Sequence, residues 1–258
     1  MPTDVHCQVV SRDPYPVATL VGTLDGHSMQ VARDALLGCL ADQPEALVVD
    51  VSRLTVADPE ALSVFTVVAE EATTWPGARL IFCEPPPRDV AAWRGSGVAV
   101  TPTRQDAVAR LGPPAPDNRL AADMEPAVGA ARRARELVTE ACARWERPEL
   151  AGSACIVVTE LVNNVVAHAL TPMTVSVALR GADMLIAVRD YSRAEPRFVG
   201  VVPPTSYGGR GLLLIDTVAS RWGSTALADG KAVWAVLTPE EEPLESEAPG
   251  PPGTLSRR

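Results

Sequence analysis

Residues Val158 to Ala169 read VTELVNNVVAHA, and their pattern indicates how the C-terminal half of the chain folds. Its polar residues Glu160, Asn164 and His168 are spaced four apart, so on a helix they lie along one face, about one turn from each other. The apolar residues between them can then face a core. The pattern predicts a helix with one polar stripe, which is typical either of a solvated surface or of a binding site.

Two further motifs follow this helix along the chain. The predicted strand Met184–Arg189 ends at Asp190, where an apolar run meets a polar loop over Tyr191–Tyr207. The triplet Gly209-Arg210-Gly211 then stands at the start of an apolar helix predicted over Gly211–Arg221. Glycines here let the backbone approach a ligand, and the N–H groups of a helix N-terminus suit phosphate. A Gly-x-Gly alone is also common in tight turns, so the ordered set of three motifs carries the interpretation.

Two changes in composition divide the chain. Residues 112–126 are rich in proline and polar residues without periodicity, which predicts a linker. Residues 239–258 are rich in Pro, Glu, Gly and Ser, which predicts a disordered tail. One domain over residues 1–111 and another over residues 127–238 remain.

The order of predicted elements differs between the two domains. In the first, strands alternate with helices, which favours a mainly parallel or mixed sheet with helices packed on it. In the second, two long helices precede two strands, a helix and a hairpin closed at Asp229-Gly230. This order predicts an α/β sandwich of two layers, with helices on one face of a sheet. We therefore expect an α/β protein throughout.

Bulk composition excludes several classes of function. The chain has 258 residues, a formal net charge of −9 and a pI near 4.9, which argues against a nucleic-acid surface. Lys231 is the only lysine, so a phosphate-binding loop ending in Gly-Lys is absent. The five cysteines are scattered, and neither a signal sequence nor a membrane-length apolar run is evident. We expect a soluble cytoplasmic protein that binds neither membrane nor nucleic acid directly.

The C-terminal motifs together resemble the GHKL superfamily of ATPases and kinases, and most closely its anti-sigma-factor serine kinases. TELVNNVVAH resembles the N box, VRDYS the first glycine box and GGRGLLLI the second. The likeness covers essentially all of residues 127–238. It implies the ATP-binding sandwich known as the Bergerat fold, with ATP and Mg²⁺ as cofactors.

The resemblance also implies roles for individual residues. Asn164 would offer its amide oxygen to Mg²⁺, and Glu160 would be the general base. Asp190 would accept a hydrogen bond from the exocyclic amine of adenine. The remaining residues assigned to the nucleotide site are Asn163, His168, Ser192, Gly209, Arg210, Gly211 and Leu212.

The first glycine box departs from the family pattern. The family has Asp-x-Gly-x-Gly, whereas this chain has Asp190-Tyr191-Ser192-Arg193-Ala194. Loss of both glycines changes the freedom of the backbone next to the base. Phosphotransfer is therefore more in question than nucleotide binding.

The N-terminal domain resembles STAS domains, the fold of anti-sigma-factor antagonists, over about residues 4–111. That family carries Asp-Ser-Ser-Gly-Leu at a helix start, and a serine there is the phosphoacceptor. Here the segment is Asp58-Pro59-Glu60-Ala61-Leu62, without either serine. Pro59 and Glu60 suit a helix N-terminus. Two interpretations stay open: the pair only caps a helix, or Glu60 supplies a fixed negative charge in place of phosphate.

Three functions remain open from the sequence. The first is an ATP-dependent serine/threonine protein kinase that controls a sigma factor or a STAS-type partner, as an anti-sigma factor in transcription regulation. The second is a nucleotide-sensing interaction protein without phosphotransfer. The third is a scaffold that uses both folds only for interaction, although Asn164 and the Gly209-x-Gly211 motif argue against it. The sequence also leaves open whether the chain forms a homodimer.

Overall fold

The computed structural model describes residues 5–11, 14–193 and 210–239. Within these ranges the chain forms two units, here called the N-terminal unit (residues 5–111) and the C-terminal unit (residues 119–237), each built on a five-stranded sheet. The elements in chain order are β1 (His6–Ser11), β2 (Val17–Leu24), α1 (Met29–Leu40), β3 (Ala46–Val56), a 3-10 turn (Pro59–Leu62), α2 (Ser63–Thr74), β4 (Arg79–Cys83), α3 (Val90–Gly95), β5 (Val100–Thr101), α4 (Arg104–Leu111), β6 (Arg119–Met124), α5 (Ala130–Arg144), a 3-10 turn (Pro148–Leu150), α6 (Ala151–Asn164), a π turn (Val165–Ala169), β7 (Met173–Arg180), β8 (Asp183–Asp190), α7 (Arg210–Val218), β9 (Arg221–Leu227) and β10 (Gly230–Leu237).

The sheet of the N-terminal unit is mixed. Its strand order is β1-β2-β3-β4-β5, with β1 antiparallel to β2 and the other neighbours parallel. Helices α1, α2 and α3 cover one face, where the rings of Phe65, Phe82 and Trp93 pack together. Helix α4 covers the other face with Ala107 and Leu111. The predicted mixed sheet with helices is confirmed.

The sheet of the C-terminal unit is antiparallel, in the order β6-β7-β8-β10-β9. Helices α5, α6 and α7 pack on one face. Alternate residues of β8, namely Met184, Ile186 and Val188, point into this helical layer, as the two-residue period of a strand requires. The predicted sandwich of helices on one face of a sheet is confirmed for this unit.

Strand β6 lies inside the segment that the sequence predicted to be a linker, residues 112–126. It pairs with β7 from Arg119 opposite Ala178 to Met124 opposite Met173. The structure therefore corrects the predicted boundary, because the C-terminal unit begins at Arg119 and not at residue 127. The predicted tail, residues 239–258, lies outside the described residues apart from Pro239.

The second face of the C-terminal sheet packs against the N-terminal unit. Leu185 and Ala187 of β8 and Trp234 of β10 share one hydrophobic core with the N-terminal unit. The rings of Trp75 and Trp234 stack with their centroids 5.8 Å apart and an interplanar angle of 6°. The C-terminal sheet is thus covered on both faces, by its own helices and by the other unit.

Polar contacts surround this apolar interface. Arg180 of β7 donates from Nη2 to the carbonyl oxygen of Gln43 at 2.8 Å, and burial lowers the pKa of Arg180. Arg189 of β8 lies 3.9 Å from the carboxylate of Asp42. The backbone at Gly77 has a φ of +71° and passes close to Arg180. The contact on the N-terminal unit therefore lies where α1 and α2 end, just before β3 and β4 begin.

One segment, Pro148–Ala169, has the length and apolar composition that a membrane span would need. The sequence pattern alone predicts no apolar run of membrane length. In the fold it contains α6, whose buried residues Val157, Val158 and Leu161 lie in the core of the C-terminal unit. A core helix passes the same test of length and composition, and this segment has that place in the fold.

Candidate functional site

Helix α6 carries the polar stripe that the sequence predicts. Glu160 and Asn164 are half-buried, whereas Asn163 and His168 are exposed. Within the described residues, no hydrogen bond or ion pair engages the side chains of Glu160 and Asn164. Two polar side chains beside a core are thus available to a ligand.

The helix widens directly after Asn164. Residues Val165–Ala169 form a π turn, which ends at Leu170 with a φ of +53°. A π turn has more residues per turn than an α-helix, so each residue adds a smaller rotation about the helix axis. His168 therefore comes back toward the line of Glu160 and Asn164. Single π turns of this kind are frequent at functional sites. The four-residue spacing in the sequence could not show this change of helix type.

Asp190 is buried at the end of β8, and its side chain is 2% exposed. Along β8, Asp190 points to the same face of the sheet as Met184, Ile186 and Val188, because side chains two residues apart lie on one face. It therefore faces the helical layer where α6 packs. Its Oδ1 accepts hydrogen bonds from the Ser192 backbone N–H at 2.8 Å and from Lys231 Nζ at 3.0 Å. A buried acceptor therefore stands on the side of the sheet that carries the polar stripe of α6.

Lys231 is a functional candidate that sequence reasoning missed. It begins the last strand, directly after the turn glycine Gly230, and lies opposite Asp190 in the β8–β10 pairing. One feature of the sequence could have drawn attention to Lys231, namely that it is the only lysine in the chain. Its position opposite Asp190 depends on strand pairing over about forty residues of sequence, which no local pattern reveals.

The motif that the sequence predicts to bind phosphate is only partly described. Helix α7 begins at Arg210 and continues through Gly211, and Leu212 and Ile215 anchor it in the core beside α6. Gly209 lies outside the described residues, as does most of the loop predicted over Tyr191–Tyr207. The N-terminus of α7 thus belongs to the same helical layer as Glu160 and Asn164.

The altered glycine box begins with an ordered turn. The Ser192 N–H that reaches Asp190 closes this turn, and Ser192 is half-buried. Arg193 is exposed and donates to the carbonyl oxygen of Ala228 at 3.1 Å. Ala194 lies outside the described residues. The residue that replaces the first glycine of the family box is therefore held by contacts within the C-terminal unit.

The structure does not bring the degenerate acceptor segment to this site. Asp58 caps the 3-10 turn that starts with Pro59, and its Oδ1 accepts from the Glu60 N–H at 3.0 Å. The segment stands at the start of α2, and Trp75, just past the end of that 12-residue helix, contacts the C-terminal sheet. Twelve helical residues span about 18 Å. The length of α2 therefore separates the segment from the stacked pair of Trp75 and Trp234.

The side chains on the helical layer fit a nucleotide with its metal ion. The oxygens of Glu160 and Asn164 are hard ligands of the type that Mg²⁺ prefers, and they lack partners in the described ranges. Those ranges contain no cluster of three or more His, Cys, Asp or Glu side chains that could hold a metal. A metal ion here would therefore need oxygens from a bound phosphate as well, which is how Mg²⁺ is often held.

The C-terminal unit is also similar to a known family. Residues 122–237 match the family model of the histidine kinase-like ATPase domain. No curated protein is significantly similar to the chain in sequence.

Three solved structures resemble the N-terminal part of the chain. An anti-sigma factor antagonist from Mycobacterium paratuberculosis is 22% identical with a TM-score of 0.35, over 43% of this chain and 96% of that one. RsbS of Moorella thermoacetica is 21% identical with a TM-score of 0.33, over 41% and 93%. Unphosphorylated SpoIIAA, an anti-sigma factor antagonist, is 18% identical with a TM-score of 0.31, over 42% and 96%.

Proposed function

We propose that this chain, whose residues 122–237 match the family model of the histidine kinase-like ATPase domain, binds ATP with Mg²⁺ and thereby regulates a partner protein. The observation that carries the proposal is the buried Asp190 carboxylate at the end of β8. It lies on the same side of the sheet as Glu160 and Asn164, whose side chains have no hydrogen bond or ion pair with the part of the chain that the structure describes. Such a site needs an acceptor for the adenine amine and an oxygen donor for the metal ion, and phosphate transfer also needs a general base.

Each side chain has a separate task in the proposed site. Asp190 accepts the hydrogen bond of the adenine amine, and Asn164 offers its amide oxygen to the magnesium ion. Glu160 takes the proton from a seryl hydroxyl of the partner as that oxygen attacks the γ-phosphorus and ADP leaves. Arg210, at the start of α7, supplies positive charge near the phosphates.

The partner that we propose is a sigma factor or a STAS-type antagonist, met in the cytoplasm. Support comes from the sequence motifs of residues 127–238 and from the STAS-like element order of the N-terminal unit. The net charge of −9 disfavours direct contact with nucleic acid, so control of transcription would act through protein contacts.

A second candidate is a nucleotide sensor that does not transfer phosphate. Ser192 and Ala194 stand where the family has glycine, and Asp58-Pro59-Glu60 offers no hydroxyl. Binding and release of ATP alone would then change the affinity for the partner. Both candidates require nucleotide binding, and only the first requires Glu160 to act as a base.

Calorimetric titration of the full chain with ATP and GTP, with and without Mg²⁺, tests the shared part of the proposal. Asp190→Asn is the informative variant, because its amide oxygen can still accept from Lys231 Nζ. Asp190→Ala would remove this acceptor as well as the charge, at a cost of about 3–5 kcal/mol in stability. We expect Asp190→Asn to lose preference for ATP over GTP, since a lost buried acceptor costs about 1–3 kcal/mol.

Asn164→Ala is expected to abolish the increase in affinity on adding Mg²⁺. Gly152→Ala is the matched control on the same helix, because Gly152 is exposed and an added Cβ meets nothing within 4 Å. Nucleotide binding that is unchanged in both Asp190→Asn and Asn164→Ala would contradict the proposed function.

A further inference from the structure

Lys231 and Asp190 form a cross-strand pair at the edge of the proposed base site. Along β10, Lys231 points to the same face of the sheet as Val233, Ala235 and Leu237, which lie in the core under the helical layer. Its side chain is 12% exposed and that of Asp190 is 2% exposed. Both charges are therefore largely removed from water, and each needs the other.

The hydrogen bonds of this pair are distributed unevenly over the carboxylate. Oδ1 of Asp190 accepts both from Lys231 Nζ at 3.0 Å and from the Ser192 N–H at 2.8 Å. Lys231 Nζ also donates to the carbonyl oxygen of Ser192 at 3.3 Å. The ammonium group thus ties together the carboxylate and the first turn of the loop that follows β8. With Oδ1 engaged twice, Oδ2 is the oxygen left for a ligand.

The backbone is built to bring these groups together. A Cβ at Gly230 would collide with the carbonyl oxygen of Asp190 and would stand 2.7 Å from the Cα of Tyr191. Only glycine fits where β10 starts this close to the end of β8. The neighbouring residue, Lys231, is thereby held beside Asp190 instead of extending into solvent.

We propose that Lys231 is a positioning residue for base recognition: it fixes the Asp190 carboxylate through Oδ1 so that Oδ2 faces the exocyclic amine of adenine. This inference rests on the proposed function, ATP binding by the C-terminal unit. Without the ammonium group, the carboxylate loses one of the two hydrogen bonds to Oδ1 and is free to rotate. A rotated carboxylate no longer presents Oδ2 to a ligand that carries an amine.

The alternative is that Lys231 only contributes to the stability of the folded chain. The two roles differ in their effect on selectivity between ATP and inosine triphosphate, which carries a carbonyl oxygen in place of the adenine amine. A purely structural role leaves the ratio of the two affinities unchanged in any variant that folds. A positioning role changes the ratio.

Lys231→Met in the full chain, titrated with both nucleotides in Mg²⁺, tests the inference. We expect the wild-type chain to prefer ATP about tenfold or more, and the variant to bind both nucleotides within about twofold of each other. Arg221→Met is the matched control, because it removes a cation from an exposed pair with Asp183 on the same sheet and should keep the wild-type ratio. Circular dichroism and thermal melting report whether each variant is folded.

Lys231→Gln serves if Lys231→Met does not fold, since its amide still donates to Asp190 but carries no buried charge. We expect it to keep a preference for ATP of at least about threefold if it folds with the wild-type register. A folded Lys231→Met with the wild-type ratio, or a folded Lys231→Gln without any preference, would overturn the positioning role alone. Failure of the wild-type chain to bind ATP would overturn the proposed function and the inference together.

Discussion

Replacing Trp75 by alanine is expected to separate the two units. Trp75 is 3% exposed, and its ring stacks on that of Trp234, which is 8% exposed. Removal of a buried tryptophan typically costs about 3–5 kcal/mol, of which an aromatic pair accounts for about 0.5–1.5 kcal/mol. Since whole domains are stable by only about 5–15 kcal/mol, a loss of this size is a large part of the total.

The loss concerns the interface itself, so its effect on unfolding should be specific. In the wild-type chain the shared core predicts that the two units unfold together in urea. In Trp75→Ala we expect two transitions. Circular dichroism and the fluorescence of the remaining tryptophans would monitor them. Limited proteolysis should then cut the chain between Leu111 and Arg119, where the two units are joined.

Val67→Ala is the control for this experiment. Val67 lies on the same helix, α2, but is 46% exposed, so its truncation should cost less than about 0.5 kcal/mol. A double-mutant cycle with Trp234→Ala isolates the contact, with an expected coupling of about 0.5–1.5 kcal/mol. If Trp75→Ala costs less than about 1 kcal/mol and unfolding stays a single transition, the docked arrangement is not what stabilises the chain.

Three further predictions follow from the described geometry. Glu160→Gln should keep ATP affinity but lower transfer of labelled phosphate to a STAS-type protein by about 10²–10⁴-fold, and equal transfer would exclude Glu160 as the base. Mass spectrometry after incubation with ATP and Mg²⁺ should find no stoichiometric phosphate on residues 1–111, because Pro59 and Glu60 stand where acceptors would be. Burial raises the pKa of Cys142 to about 11, so its thiolate is scarce at neutral pH, and iodoacetamide at pH 8 should modify it only after urea is added.

The site was largely predictable because its parts are local in sequence. The spacing of Glu160 and Asn164 indicates one helical face, and the end of an apolar run locates Asp190 at a strand end. Each of these signals spans fewer than about a dozen residues, which is the range over which periodicity is informative. The role of each residue toward a nucleotide remains a prediction.

Strand β6 escaped prediction for a physical reason. Its sequence, Arg119–Met124, has few large apolar residues, and it is an edge strand paired on one side only. Its partner β7 follows about fifty residues later, so the pairing is a long-range contact without a turn signal. Because the residues just before β6 are rich in proline, the whole segment 112–126 has the composition of a linker.

The docking of the two units has a signal in the sequence of two strands. Strand β8 is apolar at every position from Met184 to Val188, and β10 repeats this from Ala232 to Leu237. A sheet that is covered on one face only should alternate apolar and polar residues, so these runs indicate burial on both faces. What covers the second face could not be read from the runs, because Trp75 is distant in sequence.

The use of both sheet faces bears on whether the chain acts on itself. The proposed nucleotide site lies on the helical side of the C-terminal sheet, and the N-terminal unit occupies the opposite side. Asp58 lies at the far end of α2 from Trp75, about 18 Å along the helix axis. To bring that segment to Asp190, the stacked pair of Trp75 and Trp234 would have to separate. Docking therefore opposes transfer within one chain, and it leaves the helical side accessible to a separate partner.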